Sequence, residues 1–276
     1  MEGDEMARVI VVTSGKGGVG KTTSTAALGA ALAQMGQTVV VVDFDVGLRN
    51  LDLVMGAERR VVFDLINVVQ GTAKLSQALI RDKRIETLCL LPASQTRYKD
   101  ALTEDGVASV ISDLRTRFDW VICDSPAGIE RGATLAMRYA DEAIIVANPE
   151  VSSVRDSDRI IGLLDSKTVK VERGERMEKH LLITRFDSTR AARGEMLPIE
   201  DVLEILSVPL LGIIPESEEV LHASNVGCPV TLNNPACAPA RAYYDAAARL
   251  RGEDVPMSIP SDRKGLLNLL FGRRAA

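Results

Sequence analysis

Short, uninterrupted apolar runs recur along the chain, each closed by a polar or glycine-rich break. They are Arg8-Val-Ile-Val-Val-Thr13, Thr38-Val-Val-Val-Val-Asp43, Leu88-Cys-Leu-Leu91, Trp120-Val-Ile-Cys-Asp124, Ala143-Ile-Ile-Val-Ala147, Leu181-Leu-Ile-Thr184 and Leu210-Leu-Gly-Ile-Ile214. Their length and β-branched content read as strands covered on both faces. Between most of them, apolar positions return at helical spacing, which predicts helices over 21–34, 103–117, 133–139, 151–164, 199–206 and 238–250. Strands alternating with amphipathic helices predict an α/β fold: one doubly wound, mostly parallel sheet with helices on both faces. Ligands of such sheets bind at the carboxyl ends of the strands. The pattern breaks at Gly252, where a loop-like stretch carries Pro256 and Pro260. The chain is therefore expected to divide into a disordered extension (1–6), a nucleotide-binding body (7–251), a linker (252–262) and a tail (263–276).

Composition changes this picture little. Hydrophobic residues make up 46% and charged residues 26% of the 276 positions, enough for a sizeable core. Aromatics are only 4%, so the core is built of aliphatic side chains and alanine. The net charge of −5 supplies no global basic field for nucleic acid. Cys89, Cys123, Cys228 and Cys237 form no zinc-like spacing and read as thiols of a reducing compartment. No apolar stretch approaches the roughly 20 residues that cross a bilayer. The acidic start of the chain does not resemble a secretory signal.

The first strand leads into a phosphate-binding loop. Gly15-Lys-Gly-Gly-Val-Gly-Lys-Thr22 fits G-x-x-x-x-G-K-[ST] between a predicted strand and a predicted helix, the context that the motif requires. Its glycines let backbone N–H groups curl around phosphate oxygens, and the helix N-terminus adds its positive end. Lys21 would reach the β- and γ-phosphates of ATP, and Thr22 would place its hydroxyl on Mg2+. The nucleotide-binding set is thus Gly15, Lys16, Gly17, Gly18, Val19, Gly20, Lys21, Thr22 and Thr23. Asp43 and Asp124 each end a buried strand, and Asp45 lies two residues beyond Asp43. Strand-end aspartates beside such a loop hold Mg2+ or orient the attacking water.

Lys16 is a second lysine just after the first glycine of the loop. With it, the run from Lys16 to Thr23 resembles the deviant Walker A family of P-loop ATPases, of the MinD/ParA type. That resemblance implies an ATP-dependent homodimer, with Lys16 reaching the phosphates bound to the other subunit. It assigns Lys16, Lys21 and Asp45 to catalysis, Asp45 orienting the water. It assigns Asp43 and Asp124, with Thr22, to the magnesium side. Phe44-Asp-Val-Gly-Leu-Arg-Asn-Leu-Asp52, Leu91-Pro-Ala-Ser-Gln-Thr96, Cys123-Asp-Ser-Pro-Ala-Gly-Ile-Glu130 and Asn148-Pro-Glu-Val-Ser-Ser-Val-Arg-Asp-Ser-Asp158 are similar to the septum-placing branch of the family. The similarity runs from about Ala7 to Phe271. It implies a MinC-like division inhibitor and a MinE-like activator as partners, docking near Asp156. It also points to the Ile214-Pro215-Glu216 turn or to Arg185 for the adenine, and to the cytoplasmic face of the inner membrane.

The tail suits that location. On a helix of about 100° per residue, Leu266, Leu267, Leu269, Leu270 and Phe271 cover roughly 200°, with Lys264 and Asn268 opposite. Arg263, Lys264, Arg273 and Arg274 flank the apolar run. Apolar side chains in the acyl boundary and cations at anionic headgroups are the design of an interfacial helix. The alternative within the family is a ParA-type partitioning ATPase that binds DNA non-specifically. The acidic total and the amphipathic tail speak against it, so no nucleic-acid partner is expected.

Overall fold

The computed structural model describes residues 7–95 and 101–259. The expected extension (1–6), Thr96 of one family block, and the membrane residues Lys264, Leu266, Leu267, Leu270 and Phe271 lie outside the described residues.

The strands are β1 (Arg8–Thr13), β2 (Val39–Asp43), β3 (Ile80–Arg81), β4 (Leu88–Leu91), β5 (Trp120–Asp124), β6 (Glu142–Ala147), β7 (Glu178–Phe186) and β8 (Leu210–Pro215). They form one sheet in the order β3-β4-β2-β5-β1-β6-β7-β8. Every neighbouring pair is parallel except the edge pair β3–β4. β1 lies between β5 and β6, so the chain leaves it at the point where the winding reverses. That crevice is where open α/β sheets bind ligands.

Strand alternation divides the core in two. Val9, Val11, Val40, Val42, Val121 and Cys123 face one layer, while Ile10, Val12, Val39, Val41 and Ile122 face the other. The first layer is completed by the Glu104–Arg115, Arg131–Arg138, Val151–Leu164 and Ile199–Leu206 helices. The second is filled by α1 (Lys21–Gln34) and the Ala238–Leu250 helix. α1 is buried around most of its circumference, because alanines at 26, 27, 30 and 31 let it lie between the sheet and the last helix. Leu28 and Leu32 fill the remaining space, and truncating either would cost about 2–5 kcal/mol.

At the amino end of the sheet, Arg8 grips Glu142 through Nε at 2.7 Å and lies 4.3 Å over the Trp120 ring. This lets a carboxylate begin β6 one residue before the apolar run. β7 likewise starts early, since Glu178, Lys179 and His180 pair with Glu142, Ala143 and Ile144. Among the described residues, no helix is long and apolar enough to cross a membrane.

Candidate nucleotide-binding site

The loop joining β1 to α1 stands at the carboxyl end of the sheet. Gly18 (φ +76°) and Gly20 (φ +99°) are left-handed, a conformation in which successive N–H groups can converge on an anion. α1 begins at Lys21 with no acidic residue in its first turn, so its positive end is left for an anion. Thr184 fixes the loop from beneath: its hydroxyl lies 2.6 Å from the Val19 carbonyl and 2.9 Å from Asn148 Oδ1.

Both loop lysines are held through one serine. Lys21 Nζ donates to Ser14 Oγ at 2.9 Å, and Ser14 Oγ donates to the Lys16 carbonyl at 2.7 Å. Burial lowers the Lys21 pKa, opposed by the charges of Asp124 and Asp45. The Lys16 ammonium lies 3.0 Å from both Glu150 Oε2 and Ser152 Oγ, at the start of the Val151–Leu164 helix. The same helix presses on the first loop glycine. A Cβ at Gly15 would stand 2.2 Å from the Asp156 carbonyl oxygen. Asp156, expected as a partner residue, therefore sits directly beside the phosphate loop.

The carboxylates gather on the other side. Asp43 and Asp124 are register partners at the ends of β2 and β5, and both are buried. Asp43 accepts the N–H groups of Asp45 (2.8 Å) and Leu51 (3.3 Å). Asp124 accepts the Thr25 hydroxyl at 3.2 Å and that of Thr22. Burial, and then the Asp124 charge, push the Asp43 pKa well above its ordinary value. Burial lifts Asp124 to about 6. Two buried carboxylates side by side resist double ionisation. A divalent cation resolves that cost, and two carboxylates with the Thr22 hydroxyl are the hard oxygen donors that suit Mg2+. Asp45 is half-buried on the turn after β2, and its charge reaches both Lys21 and Asp124. The Cys123–Glu130 block is tied to the same centre: Gly128 N–H donates to the Ser14 carbonyl at 3.0 Å.

A cavity of about 370 Å³ continues from the loop, a size suited to a small ligand. Val19, Gly20 and Thr23 line it on the loop side, and Arg185 and the Ile214-Pro215-Glu216 turn line it as well. Tyr243, Leu221 and Ser224 also line it, and sequence reasoning missed them. Tyr243 is buried and shares a 2.9 Å hydrogen bond with Ser24 of α1. Its partners lie far away in sequence, so no local motif announces it.

Residues 10–230 match the CobQ/CobB/MinD/ParA nucleotide binding domain. The chain is 60% identical over 270 residues to the septum site-determining protein MinD of Escherichia coli K12, covering 97% of this chain and 100% of that relative. It superposes on the MinC:MinD cell division protein complex of Aquifex aeolicus with a TM-score of 0.83 at 40% identity, over 92% of this chain and 100% of that one. The Pyrococcus horikoshii septum site-determining MinD complexed with Mg-ADP gives a TM-score of 0.78 at 32% identity, over 89% of this chain and 96% of that one. Identity of this extent, on a fold with the phosphate loop and the strand-end aspartates in place, means that the chain belongs to the MinD family of septum site-determining proteins.

Proposed function

We propose that this protein is a magnesium-dependent ATPase whose ATP-bound homodimer attaches to the membrane and marks where the septum must not form. The observation that carries this is the meeting of Lys16, Lys21, Asp43, Asp45 and Asp124 at one sheet end. ATP would lie with its phosphates in the Gly15–Thr23 loop and its base in the Tyr243 cavity. Thr22, Asp43 and Asp124 would hold Mg2+, which would neutralise charge on the transferring phosphoryl group. Lys21 would compensate charge on the β- and γ-phosphates. Asp45 would hold the attacking water in line. Lys16 would leave Glu150 and cross to the phosphates of a second copy.

The tail, 263–276, would insert Leu266, Leu267, Leu270 and Phe271 among acyl chains, with Lys264 at anionic headgroups. One short amphipathic helix binds reversibly, and two on a dimer bind by avidity. ATP would thereby control membrane residence on the cytoplasmic face. A MinC-like division inhibitor and a MinE-like activator would dock beside Asp156. That helix adjoins both Gly15 and Lys16, so a partner there can sense the nucleotide state.

Steady-state hydrolysis by the purified chain tests the assignment. Turnover is expected only with Mg2+. Asp45→Ala should bind ATP as the wild type does and turn over about a hundredfold more slowly. Loss of ATP binding with unchanged turnover at saturation would overturn the role given to Asp45.

A further inference from the structure

The nucleoside cavity and the first switch lie on separate segments, yet one guanidinium joins them. The Phe44–Asp52 block, which resembles the family's first switch, carries Asp45 and continues through the Leu51–Val54 helix to Met55 and Gly56. The Glu218–Asn225 helix lends Leu221 and Ser224 to the cavity and runs out at Val226 and Gly227. Gly56 and Gly227 meet backbone to backbone. A Cβ on Gly56 would stand 2.5 Å from the Gly227 carbonyl oxygen, and one on Gly227 would stand 2.7 Å from Gly56 Cα. Their left-handed φ values, +64° and +66°, also suit glycine.

Arg84 closes this contact. Its Nη2 donates to the Met55 carbonyl at 2.8 Å and its Nη1 to the Gly227 carbonyl at 3.1 Å. Asp82, buried beside it, fixes the fork through Nε at 3.0 Å and Nη2 at 2.6 Å. On the switch side, Leu51 N–H is bound by Asp43, which also binds Asp45 N–H. Contacts therefore run unbroken from the cavity wall to the loop that holds Asp45. A lysine could reach one of the two carbonyls, but only a guanidinium offers a fork to both.

We infer that Arg84 is a positioning residue for ATP hydrolysis: it transmits occupancy of the nucleoside cavity to the loop carrying Asp45. A bound base fixes the Glu218–Asn225 helix, and Arg84 passes that order to Met55 and the switch. A bare polyphosphate fills only the phosphate loop and leaves the switch less ordered. This rests on the nucleotide reading proposed above. A clip that merely stabilises the fold would act alike with either ligand.

Hydrogen exchange on the full chain separates these cases, using a non-hydrolysable ATP analogue and inorganic tripolyphosphate, each saturating with Mg2+. In the wild type, amides of 45–56 should exchange about five- to tenfold more slowly with the analogue than with tripolyphosphate. Arg84→Ala should erase that difference, and Arg84→Lys should retain part of it. In parallel, Arg84→Ala should lower kcat several-fold with little change in KM. An unchanged 45–56 difference in Arg84→Ala, or no difference in the wild type, overturns the inference. If neither ligand protects the amides of 15–23, the nucleotide reading itself fails. Should Arg84→Ala not fold, the Arg84→Lys comparison decides alone: full retention of the difference overturns the inference.

Discussion

Lys16 of the phosphate loop keeps its ammonium 3.0 Å from the Glu150 carboxylate of its own subunit. The lysine that the proposed dimer would use across its interface is thus held in cis on the helix beside it. The side chains are 38% and 43% exposed, so solvent screens the pair and it contributes less than about 1 kcal/mol. Such a tether restrains Lys16 without trapping it. Two such pairs would open per dimer, so Glu150→Gln should tighten ATP-dependent self-association by no more than about thirtyfold in sedimentation velocity. Loss of association would mean that Glu150 serves the interface directly.

Gly15 has a second reason to be glycine besides the loop it opens. Any side chain would strike the Asp156 main chain, which sits in a helix and cannot move alone. Gly15→Ala should displace that helix at a cost of about 1–3 kcal/mol, the range for overpacking. For a chain of this size that lowers the nucleotide-free thermal midpoint by roughly 3–10 °C. An unchanged midpoint would contradict the contact.

The buried Asp43–Asp124 pair makes stability depend on pH in an unusual direction. Asp124 has an ordinary pKa of 3.8 and is raised to about 6 by burial. Between those values the native state holds the extra proton, so stability falls as pH rises through the window. Above it the full cost remains, about 2–3 kcal/mol. In nucleotide-free, magnesium-free protein, Asp124→Asn should raise the midpoint at pH 7.5 and leave it nearly unchanged at pH 4. Carboxylates with lowered folded pKa values, such as Glu142, lose stability on acidification with the opposite sign. The readout is therefore variant minus wild type at each pH. An equal difference at both would contradict the burial cost. The same variant should lose ATP turnover, because the proposed magnesium site would lose one of its carboxylates.

What the sequence made legible was chemistry local to a few residues. The phosphate loop reads directly because its glycines, lysines and threonine are consecutive. Asp43 and Asp124 read because an apolar run ends at each of them, and the structure makes them register partners. The start of β7 did not read, since Glu178, Lys179 and His180 are polar and join by backbone pairing with β6. β3 is two residues long and antiparallel at an edge, with no apolar run to mark it. Tyr243 and Ser224 reach the cavity from the end of the chain, and Asp156 meets Gly15 from another layer. Such contacts depend on the winding of the whole sheet, which no local pattern carries.

The central claim is that ATP, through the dimer, gates attachment of the tail to lipid. Sedimentation with anionic vesicles, in ADP or in a non-hydrolysable ATP analogue, tests it most directly, comparing the full chain with one ending at Pro260. The account predicts sedimentation of the full chain with the analogue alone, and loss of it on truncation. Equal sedimentation in both nucleotides, or binding that survives truncation, would contradict it.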